Sequence, residues 1–225
     1  MQFFIIVLLV CFIVFLYVLY TLVKDDFVIN RKNISIESIF NTAFLTAISA
    51  LFFSRLFYVL IYPEPIFFKV LGFFLFPYFP GLSLIGAALG GLIFFLPYLR
   101  NKNIPMGKAI DIFALSFLSA LPVGYLGLII LTGNSIRSMF LFIIYVLTLI
   151  VSAKLIFPLS LRGKLKDGLF GVAFISFLSL FNLLASFLNK KPYIIFNVEN
   201  ILFLAILILS LLFIFYKEFF DKSSR

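Results

Sequence analysis

The chain has 225 residues, of which 64% are hydrophobic and 12% charged, with a mean hydropathy of +1.23. About a quarter of the residues in a soluble domain are charged, so the composition excludes one and describes an integral membrane protein. The net charge of +9 is scattered over short segments between apolar runs, with no aromatic-interleaved basic domain; this excludes nucleic acid as a partner and reflects topology and anionic headgroups.

Apolar runs long enough to cross a hydrocarbon core of about 30 Å fall near 3–23, 40–62, 82–99, 110–132, 138–158, 168–188 and 200–216. The expected fold class is an all-α integral membrane protein with seven transmembrane helices, forming a single polytopic membrane domain over 1–225. The first run has no basic residue before it and no small-residue cleavage site after it, so it reads as a retained helix rather than a signal peptide. Cys11 lies within it among Val10, Phe12 and Ile13 and reads as a small apolar filler. One cysteine and no histidine exclude an intramolecular disulfide, an imidazole metal site and any Ser-His-Asp or Cys-His nucleophile pair. No Walker loop, dinucleotide fingerprint or calcium loop occurs, so no cofactor and no metal are expected.

The second run contains Ser54-Arg55-Leu56-Phe57-Tyr58-Val59-Leu60-Ile61-Tyr62. A charge inside a membrane helix marks a functional site by default. Two readings suit Arg55: a snorkelling stem that carries its guanidinium to headgroup level, or a clamp whose planar fork of donors meets a lipid phosphate. Tyr58, three residues on and on the same face, adds a ring and a hydroxyl to that position. The following segment, 63–80, is apolar but punctuated by Pro63, Pro65, Lys69, Pro77 and Pro80. Its proline-free core is too short to span, and an interfacial or re-entrant arm is expected.

The third run opens on Gly81 and Ser83 and continues with Gly86, Ala87, Gly90 and Gly91 at small-xxx-small spacing. Close helix packing explains the stripe; a headgroup-sized entrance formed by Gly81 and Ser83 is the alternative. Asp111, near Lys108, opens the fourth run as a negative charge close to a helix N-terminus. Pro122, Gly124 and Gly127 loosen the outer half of that run, for close packing or for a bend beside a cavity.

Orientation follows from the basic residues. Lys24, Arg31, Lys32, Arg100, Lys102, Lys108, Lys154, Arg162, Lys164, Lys166, Lys217, Lys222 and Arg225 fall in the odd-numbered loops and the tail, against Lys69, Arg137, Lys190 and Lys191 in the even-numbered loops. Cytoplasmic loops retain the excess, which places the N-terminus outside and the C-terminus in the cytoplasm.

These features together resemble the prolipoprotein diacylglyceryl transferase family over nearly the whole chain. The likeness is best at Arg55-Leu56-Phe57-Tyr58-Val59-Leu60, at Gly81-Leu82-Ser83 with Gly86 and Gly91, at Asp111, at Gly124 with Gly127, and at Arg162-Gly163-Lys164-Leu165-Lys166 followed by Gly168-Leu169-Phe170. The resemblance implies a multi-pass protein of the bacterial cytoplasmic membrane that moves diacylglyceryl from phosphatidylglycerol to a lipoprotein cysteine. Phospholipid and lipoprotein precursor signal peptides are the implied partners, and Arg55, Tyr58, Ser83, Gly86, Gly124, Tyr125 and Gly127 the implied substrate-binding residues. Departures accompany the matches: the family's motif histidine reads Ile85, one motif arginine reads Tyr125, and a second, in the sixth helix, reads Asn182. No catalytic residue is therefore named. Two functions of different classes follow, a diverged transferase and a catalytically inert lipid-binding or helix-partner protein of the same fold, with a small transporter or channel as a third.

Overall fold

The computed structural model describes residues 2–24, 26–68, 72–73, 81–133, 135–156, 166–188 and 197–219. Among them there are helices and turns and no strand. The helices are α1 (Gln2–Lys24), the short α2 (Phe27–Arg31), α3 (Ile36–Ile61), α4 (Leu84–Asn101), α5 (Met106–Thr132), α6 (Ile136–Val151), α7 (Leu169–Phe187) and α8 (Val198–Phe219). A single π turn, Ser152–Ile156, extends α6. All but α2 are long and apolar enough to cross a membrane, which bears out the all-α, seven-span expectation. Of the arm, Pro65–Phe68 form a 3-10 turn and Gly72 and Phe73 are helical. Its residues 69–71 and 74–80 lie outside the described residues, as does the basic stretch Arg162-Gly163-Lys164-Leu165.

Local chemistry sets the helix ends. Ser35 caps α3, accepting from Ser38 N at 3.2 Å, so the helix begins several residues before its apolar run. Asp26 caps α2, accepting from Val28 N at 2.9 Å and Ile29 N at 3.1 Å. This short helix was not expected, because five residues are too few to carry an apolar period. The same tripeptide, Lys-Asn-Ile, closes α2 and α4: Asn33 (φ 52°) and Asn103 (φ 54°) take the left-handed conformation. The amides of Ile34 and Ile104 then reach back to Ile29 O and Leu99 O at 3.3 and 3.0 Å. Asparagine tolerates this conformation, and the turn satisfies carbonyls that the helix end would leave open.

The chain forms two compact units. The first comprises Met1–Ile6 and Tyr20–Met106 and is organised by α3 packed along α4. The approach is close because glycines face the partner: a Cβ on Gly86 would stand 2.6 Å from Phe53 O and 2.7 Å from Phe57 Cβ, and one on Gly90 would overlap the Phe53 side chain. Ser49 Oγ donates to Gly90 O at 2.8 Å across the same seam.

The second unit comprises Val7–Leu19 and Gly107–Arg225, with α7 packed on α8 and on α6. Its interior holds Leu118, Leu141, Tyr145, Phe170 and Phe174. Phe117 meets Phe174 edge-to-face at 6.0 Å. Ser176 Oγ donates to Ser210 Oγ at 2.8 Å, tying α7 to α8 with the kind of interhelical hydrogen bond that suits an apolar surround.

Candidate functional site

In the first unit, polar chemistry gathers where the C-terminal half of α3 meets the start of α4 and the arm. Ser83 caps α4, its Oγ accepting from Gly86 N at 3.4 Å. Its backbone is held to α3 twice: Ser83 N donates to Ser54 O at 3.1 Å, and Ser54 Oγ donates to Ser83 O at 2.8 Å. Ser54 and Ser83 are both buried. Ser83 and Gly86 thus set the register of the helix pair, whatever else they contact.

Arg55 lies beside this junction and is only 2% exposed. Its Nη1 donates to Gly81 O at 2.9 Å, its Nη2 to Gly72 O at 3.0 Å, and its Nε to Phe73 O at 3.1 Å. The guanidinium carbon stands 4.6 Å from the Phe67 ring centroid and 5.7 Å from that of Tyr58, within the range of cation–π attraction. Tyr58 leans on Tyr62 at 5.2 Å and on Phe67 at 6.0 Å. Its ring lies so close to Gly81 that any Cβ there would overlap it. This geometry gives the guanidinium protein partners that neither the snorkelling nor the phosphate-clamp reading anticipated. The donors of the guanidinium are spent on the carbonyls of Gly72, Phe73 and Gly81 within the protein.

In the second unit, Asp111 on α5 is 8% exposed and reaches α7. Its Oδ2 accepts from Gly168 N and its Oδ1 from Gly171 N, both at 2.8 Å. Gly168 has φ +84°, a conformation a side chain would strain, and no side chain of its own to cap α7. Asp111 supplies the cap from another helix. The expectation of an ordinary charge at the start of its own helix therefore named the right interaction and the wrong helix.

The glycines Gly124 and Gly127 face α1 within this unit. A Cβ on Gly124 would lie 3.6 Å from Cys11 Sγ, and one on Gly127 would overlap Val7. Between them Tyr125, half-buried, stacks on Tyr145 of α6 with ring centroids 5.4 Å apart and planes 14° from parallel. Asn182 of α7 joins the pair: its Nδ2 donates to Tyr145 OH at 3.0 Å and to Leu178 O at 2.8 Å, while its Oδ1 accepts from Tyr125 OH at 3.4 Å. Two positions 57 residues apart in sequence are thus brought into one neutral cluster. Tyr145, fully buried, is the member that sequence reasoning missed. A tyrosine in the middle of an otherwise apolar helix was the available signal, since a buried phenol needs a polar partner.

Among the described residues, no three His, Cys, Asp or Glu side chains converge, and no residue set is assigned to a metal. The chain matches the family model for prolipoprotein diacylglyceryl transferase over residues 1–216. No curated protein and no solved structure matches it. A match running from the first helix through the seventh, on a chain with seven helices able to cross a membrane, shows that this protein belongs to the prolipoprotein diacylglyceryl transferase family.

Proposed function

We propose that this protein is a diverged diacylglyceryl transferase of the bacterial cytoplasmic membrane, with its N-terminus outside, that moves diacylglyceryl from phosphatidylglycerol to the cysteine of a lipoprotein precursor. The family match along residues 1–216 carries the proposal. In that reaction the cysteine sulfur bonds to the glycerol carbon that bore the phosphate, the carbon–oxygen bond breaks, glycerol phosphate departs, and the thiol proton goes to a base. The site must accept that proton and stabilise the leaving phosphate.

Of the substrate-binding positions that the resemblance implies, Tyr58 in the first unit and Gly124 and Tyr125 in the second are the ones proposed to face substrate, each read within its own unit; Arg55 donates to backbone carbonyls, and Ser83, Gly86 and Gly127 are taken up by capping and packing. Asp111 is not offered as the base, because both its oxygens accept from α7. With isoleucine at position 85 and the neutral Tyr125–Asn182 pair where the family resemblance gives arginines, charge stabilisation is reduced and turnover is slow. The same neutral cluster favours a second reading, an inert phospholipid-binding protein of the same fold.

The deciding assay supplies purified protein with phosphatidylglycerol and a lipobox peptide beside a histidine-containing family member. Removal of one oriented donor slows such steps by about a hundredfold or more, so transfer at least that much slower is expected. Turnover equal to that of the relative refutes the attenuated site. No transfer with phosphatidylglycerol still bound selects the inert reading, and absence of both defeats the two readings together.

A further inference from the structure

We infer that Arg55 is a positioning residue whose guanidinium holds the arm through the carbonyls of Gly72, Phe73 and Gly81, rather than a contact to lipid phosphate. Three observations converge. The side chain is 2% exposed. Its three nitrogens each donate to a different carbonyl of the arm or its end, at 2.9 to 3.1 Å. Its flat face is covered by Phe67 and approached by Tyr58. A guanidinium already bonded in its own plane and covered on a face presents little to an incoming phosphate.

The surrounding residues fit the same role. Gly72 and Gly81 let the backbone come close: a Cβ on Gly72 would overlap Ile66 O, and one on Gly81 would overlap the Tyr58 ring. Phe73 also meets Phe52 of α3 edge-to-face at 5.8 Å, a second tie between α3 and the arm. In an apolar surround, one arginine can give three backbone carbonyls a donor each at fixed angles. Lysine cannot, because its ammonium is a point charge on a single flexible stem. Arg55 can fill this role in a chain with isoleucine at 85, tyrosine at 125 and asparagine at 182. Its task is architectural and does not depend on transfer chemistry.

The test reads the arm directly. In full-length protein with Cys11→Ala, a single cysteine is placed by Phe73→Cys, and its labelling rate with a membrane-impermeant maleimide is measured in liposomes with Arg55 intact, Arg55→Lys and Arg55→Met. The expected result is labelling at least about tenfold faster in both variants. A separate probe, Ser179→Cys in the fully buried wall of α7, should stay unlabelled throughout and reports intact folding. If Arg55→Met does not fold, Arg55→Lys alone decides.

Unchanged labelling of the Phe73→Cys thiol in a folded variant overturns the inference. Copurified lipid separates the two roles of the guanidinium: a positioning role leaves the ratio of retained phosphatidylglycerol to phosphate-free diacylglycerol unchanged. Selective loss of phosphatidylglycerol with that thiol still protected shows a phosphate contact and refutes the positioning role. Neither readout requires transferase activity, so this inference and the proposed function fail independently.

Discussion

Asp111→Ala is the substitution that most directly tests how the second unit is held together. The carboxylate accepts from two amides at 2.8 Å, Gly168 N and Gly171 N, and Asp111 is 8% exposed. Hydrogen bonds to a charged group contribute about 1.5–3 kcal/mol each. The two share one carboxylate and do not add fully, so the loss expected for Asp111→Ala is about 3 kcal/mol, at the bottom of the range for the pair. Water cannot easily replace the lost acceptor. A Cβ on Gly107 would stand 2.8 Å from Asp167, and one on Gly171 would overlap Ile110, so the junction is packed on both sides. Asp111→Asn should recover less than half of the loss, because one oxygen still accepts while the new NH2 faces the other amide donor. Reversible unfolding in mixed detergent micelles measures the stability. Hydrogen exchange at the amides of 168–172 measures the local effect, expected as loss of protection confined to the first turn of α7. A change below about 0.5 kcal/mol in Asp111→Ala, with those amides still protected, would refute the capping role.

Gly86→Ala should destabilise by about 1–3 kcal/mol, because the new methyl would meet the Phe53 carbonyl oxygen and Ser54 Cα at 2.6 and 2.9 Å, backbone atoms that cannot rotate away. Gly91→Ala should be nearly neutral, with its nearest neighbours at 3.6 and 3.7 Å; thermal midpoints in detergent that rank the two the other way would contradict the packing account of the stripe. Tyr145→Phe keeps the stack on Tyr125 but removes the acceptor of Asn182 Nδ2, and should cost about 1 kcal/mol in the same unfolding measurement. For orientation, a reporter inserted at Asn134 should be active outside and one fused after Arg225 in the cytoplasm, as the distribution of lysine and arginine demands; cytoplasmic activity at Asn134 would reverse the assigned topology.

The fold class was legible because membrane spans obey a one-dimensional rule. An apolar run of the right length must be helical, since lipid offers backbone groups no other partner. The runs at 3–23 and 168–188 matched helices at Gln2–Lys24 and Leu169–Phe187 to within one residue. Where polar capping residues extend a helix beyond its apolar stretch the reading fell short, as at Ser35, which starts α3 before the run at 40–62. The small-residue stripe at Gly86 and Gly90 was legible for the same reason, because small side chains at helical spacing permit close approach whichever helix is the partner.

The chain by itself determined that this is a seven-span membrane protein, that Arg55 is an unusual charge, and that its motif frame resembles a transferase family. It could not determine where each polar group finds its partner, because hydrogen bonding in lipid is settled by which helix lies opposite. Arg55 found its partners in backbone carbonyls 17 to 26 residues away. Asp111 capped a helix 57 residues downstream rather than its own. Asn182 found Tyr145 and Tyr125 on two other helices. Hydropathy depends on residue type and is additive along the sequence, whereas partner choice depends on the direction of a side chain in space, and only the tertiary structure decided it.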